Sequence, residues 1–215
     1  MNKDTRNGLS EKENKSALTG GEDEKITEII KSAQKGDEKA FKLLVEKYKA
    51  QVAGIAYKMV GSYEDAKDIS QIVFVKTYQN LGSFDTTKKL STWLYRITIN
   101  ASIDFIRKHK KHRHEALESI TGELREKKRD VEGTYKRSLI QWAIKKAMEV
   151  LNPKQREVFV LRDLEGLDIK EVAQITGMPQ ATVRWYLHRA RSRLREELIR
   201  HYSGVLEGTG IKYGL

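Results

Sequence analysis

Between Asp37 and Met59 the apolar residues Phe41, Leu44, Val45, Tyr48, Val52, Ile55, Ala56 and Met59 recur at three- and four-residue steps. That spacing places them on one face of a helix. Gly36-Asp37 opens this segment and Gly61 stops it. A shorter helix precedes it, with Ile26, Ile29, Ile30 and Ala33 on one side. Another follows from Glu64 to about Leu81, with Ala66, Ile69 and Val73 facing in and Ile72 at the margin. Gly82-Ser83-Phe84-Asp85 then breaks the chain before the stretch Leu90 to Lys111. There Leu90, Trp93, Leu94, Ile97, Ala101 and Phe105 form an inward face. Tyr95, Arg96, Thr98, Asn100 and Ser102 form a polar outward one. The stretch ends in Arg107 to Arg113, five formal positive charges within seven residues.

The periodicity lapses over residues 110–137, which hold nine Lys or Arg and six Asp or Glu with glycines at 122 and 133. Such a composition suits a charged linker. A second helical unit spans 138–202. Leu139, Ala143, Ala147 and Val150 or Leu151 mark its first helix, and Asn152-Pro153 restarts the chain as N-cap and first helical residue. The new helix runs to Leu164 and closes at Glu165-Gly166. Asp168-Ile169-Lys170-Glu171 reads as a capping box, Gly177-Met178-Pro179 as a tight turn, and Val183, Leu187, Ala190, Leu194 and Leu198 as the buried line of a last helix. Residues 1–24 carry too little apolar surface to offset ordering entropy and read as a disordered tail; 203–215 read as a flexible one. The expected fold is therefore all-α. It comprises two small helical domains, 25–109 and 138–202, joined by the linker, the second containing a helix-turn-helix.

Charge changes the picture more than composition does. With Lys and Arg at 41 against 30 Asp and Glu, the formal net charge is +11, which attracts polyanions and nucleic acid first among them. There is no run of eighteen apolar residues to span a bilayer, and the polar first residues lack a secretory apolar region. No cysteine is present, so disulfides and thiolate metal sites are excluded. The expected compartment is the cytoplasm.

The candidate chemistry is recognition. From Asp168 to Leu198 a short helix, a glycine turn and a second helix bearing Arg184, His188, Arg191 and Arg195 form the pattern whose second helix enters the major groove. Gln180, Thr182, Arg184 and Trp185 stand at its base-reading end; His188, Arg189 and Arg191 follow as backbone contacts. The competing reading is a surface helix with a solvated basic face. His109, His112 and His114 lie among lysines and arginines that repel a cation, so they read as part of a basic run and no metal site is expected. There is no nucleophile elbow, Walker loop or HExxH helix, and neither a catalytic residue nor a cofactor is assigned.

Taken together, the two units resemble a bacterial RNA polymerase sigma factor of the extracytoplasmic-function (ECF) group of the sigma-70 family, which keeps regions 2 and 4. In the first unit the resemblance is carried by Gly36-Asp37 through Phe41, by Asp65-Ala66-Lys67-Asp68-Ile69-Ser70-Gln71 with Phe74, and by Ser91-Thr92-Trp93-Leu94-Tyr95-Arg96-Ile97 with Asn100 and Asp104. In the second it is carried by Leu151 to Val158, Gly166-Leu167, Glu171-Val172-Ala173, Thr182-Val183-Arg184 and Leu187 to Arg191. The resemblance implies a specificity subunit with no chemistry of its own. Asp65, Asp68, Gln71, Phe74 and Val75 would dock on the clamp helices of the core polymerase's largest subunit. Trp93, Tyr95, Arg96, Asn100, Ala101, Ser102, Asp104, Arg107 and Lys108 would capture the melted −10 strand, a flipped base being held near Asn100 to Ser102. Gln180, Thr182, Arg184, Trp185, His188, Arg189 and Arg191 would read the −35 duplex. The free protein would be a monomer, and by family analogy an anti-sigma protein would sequester it.

The chain departs from the family pattern in three places, the docking helix, the start of the −10 stretch and the recognition helix. Ile72 stands where a glutamate commonly follows the glutamine, and Lys67 replaces an acidic residue, making the docking face less electrostatic. Leu90 stands where Phe is frequent, and Trp185-Tyr186 replaces a small-then-basic pair. Trp185 either contacts DNA or packs on the neighbouring helix. Two other classes stay open on residues alone: a dimeric helix-turn-helix activator or repressor, and a Mg²⁺-dependent nucleic-acid enzyme with converging carboxylates.

Overall fold

The computed structural model describes residues 24–113, 140 and 142–207, and the described residues contain helices and turns but no strand. The expected tail at 1–23, most of the linker and residues 208–215 lie outside them. Eight α-helices follow in order: α1 (24–34), α2 (Glu38–Val60), α3 (Tyr63–Asn80), α4 (Leu90–Arg113), α5 (142–147), α6 (Pro153–Phe159), α7 (Ile169–Thr176) and α8 (Gln180–Glu207).

The punctuation is local chemistry. Asp37 accepts from the amides of Lys39 and Ala40, satisfying two of the orphan donors of α2. Asn152 with Gln155 and Asp168 with Glu171 form complete capping boxes that start α6 and α7. Gly177 ends α7 at φ 71, in the left-handed region where a side chain is disfavoured.

Helices α1 to α4 enclose one core, with Ile30, Leu44, Val52, Ala56, Ile69, Val73, Leu90 and Leu94 buried in it. A second core gathers Val158, Val160, Leu161, Val172, Ile175, Val183, Leu187, Ala190 and Leu194 from α6 to α8. This second core also takes in Ile55 and Met59 of α2 and Tyr95, Ile99 and Ile103 of α4. The two units are therefore packed on each other, with apolar side chains shared across the seam.

Three expectations change. The helix foreseen from Pro153 to Leu164 is α-helical to Phe159 and then widens into a π-helical stretch at Val160–Leu164, where the Glu165 amide donates to the Val160 carbonyl at 2.9 Å. Helix α4 continues to Arg113, past the expected linker start at 110. Helix α8 likewise continues to Glu207, past the expected end at 202, with a non-helical Tyr202 inside it at φ −133.

Candidate nucleic-acid interface

Helix α4 is buried on two sides, which corrects its expected division into one inward and one polar face. Leu90, Leu94 and Ala101 are buried in the first core, and Trp93, Ile97 and Phe105 pack against it half-exposed. Tyr95, Thr98 and Ser102, expected outside, are buried. Thr98 and Ser102 tolerate this because each hydroxyl donates to a carbonyl one turn back, of Leu94 and Thr98 respectively, both at 2.8 Å. Tyr95 lies with Ile99 and Ile103 in the seam, where desolvation and then Glu165 push its phenol upward. Residues 100–102 are a turn of continuous helix rather than a loop; Asn100 is exposed, whereas Ala101 and Ser102 point into the protein.

Arg96, Asn100, Asp104, Arg107 and Lys108 remain on the exposed side of α4. Beside them the His109 ring stacks on Phe105 with centroids 3.9 Å apart. Trp93 is held by Phe84 at 5.0 Å, so its indole is braced from below while part of it reaches solvent. The guanidinium of Arg96 is already engaged: Nε donates to the Ile175 carbonyl at 3.1 Å and Nη2 to that of Gln174.

On α8, Gln180, Arg184, Trp185, His188, Arg189 and Arg191 are exposed and Thr182 is half-buried. Arg184 donates to the Gln180 side chain at 3.4 Å, one turn away. Trp185 stands 53% exposed, with Tyr186 edge-on to it at 4.8 Å and the Arg189 guanidinium 5.2 Å from its ring centre. Its ring thus keeps an open aromatic surface beside the basic residues of α8. Arg191 is held bidentately by Asp163 of the π-helical stretch at 2.9 and 2.6 Å, and that carboxylate raises its already high pKa. Arg191 therefore ties the recognition helix to the π stretch.

The third surface lies on α3. Asp68, Gln71 and Val75 share an exposed face of α3 with Ile72, Lys76 and Gln79, forming a shallow open groove along this one helix. Asp65 is half-buried near the Ser62 cap, and Phe74 packs against the first core, so neither joins the groove. Ile72 is 46% and Val75 56% exposed, with Tyr78 uncovered alongside. Sequence reasoning placed Ile72 on the docking face but missed Lys76 and Gln79, although the steps 68, 72, 75, 79 share a face. It also missed Asp163, whose partner is 28 residues away and leaves no local signal.

Among the described residues no group of His, Asp or Glu is arranged to hold a metal ion, and no helix is long and apolar enough to cross a membrane. A basic helix-turn-helix unit packed on a helical unit with a basic, aromatic-lined helix defines a DNA-binding protein. Comparison with known proteins gives the family. Residues 44–112 match Sigma-70 region 2 and residues 141–194 match Sigma-70, region 4. The chain is 34% identical over 181 residues to the ECF RNA polymerase sigma factor SigW of Bacillus subtilis, covering 80% of this chain and 96% of that one. It is 32% identical over 170 residues to the ECF RNA polymerase sigma-E factor of Escherichia coli, covering 76% and 88%. The solved structure of CnrH in complex with the cytosolic domain of CnrY has the same fold, with TM-score 0.60 at 24% identity over 81% of this chain and 97% of that one. The chain thus belongs to the sigma-70 family, in its ECF group. It is a promoter-specificity subunit of RNA polymerase and not an enzyme.

Proposed function

We propose a division of labour among the three surfaces. The α3 groove seats core polymerase, at the clamp helices of the largest subunit. The exposed side of α4, with Trp93, Arg96, Asn100, Asp104, Arg107 and Lys108, takes the melted −10 strand. The N-terminal half of α8 reads the −35 duplex through Gln180, Thr182, Arg184 and Trp185, with His188 and Arg189 on phosphates. The two domains of this reading run to the ends of α4 at Arg113 and of α8 at Glu207. The free protein is a monomer that works in the cytoplasm, where an anti-sigma protein can sequester it.

The observation that carries the docking assignment is the α3 groove. Along this face of α3 the apolar Ile72 and Val75 stand about half exposed beside Asp68, Gln71 and Lys76. Fully burying a Val or Ile side chain contributes about 1.5–3 kcal/mol. Val75→Glu is therefore expected to weaken core binding on the order of tenfold or more, in a fluorescence-anisotropy titration of labelled factor with purified core polymerase. An unchanged dissociation constant, with an unchanged circular dichroism spectrum, would remove the groove from the core interface.

A further inference from the structure

The outward face of α8 is centred on one residue. Val183, Leu187, Ala190 and Leu194 form the buried line of this helix. With about 3.6 residues per turn, Trp185 falls almost diametrically opposite that line. Ala181 and Ser192 share its side of the helix and are small, so the indole is the largest group presented there. In a helix-turn-helix that side is lowered into the major groove, and Trp185 lies in the N-terminal part that meets base edges.

An indole at this place selects by a different chemistry from an arginine or an amide. Its one polar group is the Nε1–H donor, and the rest of the ring offers apolar contact alone. In the major groove guanine, cytosine and adenine present only donors and acceptors, whereas thymine adds the methyl group at C5. An apolar ring gains where it takes that methyl out of water and loses where it strands a donor or acceptor of another base.

The indole is also held ready. Tyr186 stands edge-on to it at 4.8 Å, and the Arg189 guanidinium lies 5.2 Å from its ring centre. These contacts brace a side chain that is 53% exposed, so less rotamer freedom is lost on binding. Arg191 is engaged with Asp163, which fixes the facing of α8 within its unit.

We propose that Trp185 is a specificity residue of the −35 reader that selects a T·A pair by packing its indole on the thymine methyl group. Arg189 is its positioning residue: it holds the ring from one side while its guanidinium takes a phosphate. The inference rests on the assignment of α8 to the −35 duplex.

The test uses the full-length factor with core polymerase, transcribing a template library randomised across the −35 element. The parent is expected to prefer a T·A pair at one position. Trp185→Ala should lose that preference and keep those at the other positions and at −10. Deoxyuridine in place of that thymine removes the methyl and nothing else. It should lower transcription at limiting factor about fourfold with the parent, the worth of one buried methyl, and leave Trp185→Ala unaffected. Arg189→Gln should weaken all −35 templates and also bring the thymine-to-deoxyuridine ratio toward one; a plain phosphate contact would leave the ratio at its parental value and overturn the positioning role. Equal sensitivity of the parent and Trp185→Ala to loss of the methyl, or a uniform loss over all −35 sequences in Trp185→Ala, would overturn the methyl contact while leaving α8 as the −35 reader. A parent with no −35 preference at any position would sink the assignment of α8 itself.

Discussion

Glu157 shows how a single residue's environment sets a measurable property. Its side chain is almost wholly buried in α6, and desolvation pushes its carboxyl above the ordinary range despite Lys154 at 3.0 Å and the field of Arg107. The folded state therefore holds the proton more tightly than the unfolded one. The sign of the linkage follows: stability is full below the unfolded pKa and declines as pH rises through the raised folded value. Glu157→Gln stays neutral throughout. Its melting temperature should match the parent's at about pH 4 and exceed it at pH 7. A parent that melts higher at pH 7 would mean that the Lys154 pair outweighs burial. Residue-scale chemistry of this kind was hard to read from sequence, because Glu157 lies in a polar run, Lys154 to Glu157, with no apolar marker of burial.

At the scale of elements the sequence was most informative where a motif is short and self-contained. The caps at Asn152 and Asp168 and the left-handed Gly177 are each decided within four residues, and all three were legible. The helix-turn-helix follows from them, since Gly177 turns the chain from α7 into α8. An added Cβ at Gly177 would meet nothing within 4 Å, so the cost of Gly177→Ala comes from the backbone alone. About 1–2 kcal/mol is expected, read as a lower denaturation midpoint in urea. Gly177→Asn should lose less, because asparagine tolerates this conformation. Equal losses for the two would contradict a backbone origin. The π stretch at Val160–Leu164 was not legible. Its helix pattern continues smoothly in sequence, and the widened turn shows only in the backbone bond from the Glu165 amide to the Val160 carbonyl.

For the whole molecule, the two-unit helical architecture was readable from periodicity and charge, whereas the packing of the units was not. Helix α4 carries two apolar stripes, one through Leu90, Leu94 and Ala101 and a second through Tyr95, Ile99 and Ile103. The first stripe agreed with the expected core. The second is covered by residues far away in the sequence, among them Ile55 and Met59 of α2 and Val158 and Leu161 of the second unit, and no local pattern says what covers it. The buried Thr98 and Ser102 misled for a similar reason, since hydroxyls that bond to their own helix look polar in sequence and behave as packing groups. The central claim is that this factor reads a bipartite promoter with separable surfaces. The most direct test is run-off transcription by purified core polymerase with the factor, on templates mutated in either element. Arg184→Ala is expected to abolish discrimination between intact and mutated −35 elements, about 1–3 kcal/mol for a bidentate base contact, while keeping discrimination at −10. Asn100→Ala should do the reverse. No polymerase-dependent transcript, or equal loss of both discriminations by both variants, would contradict the account.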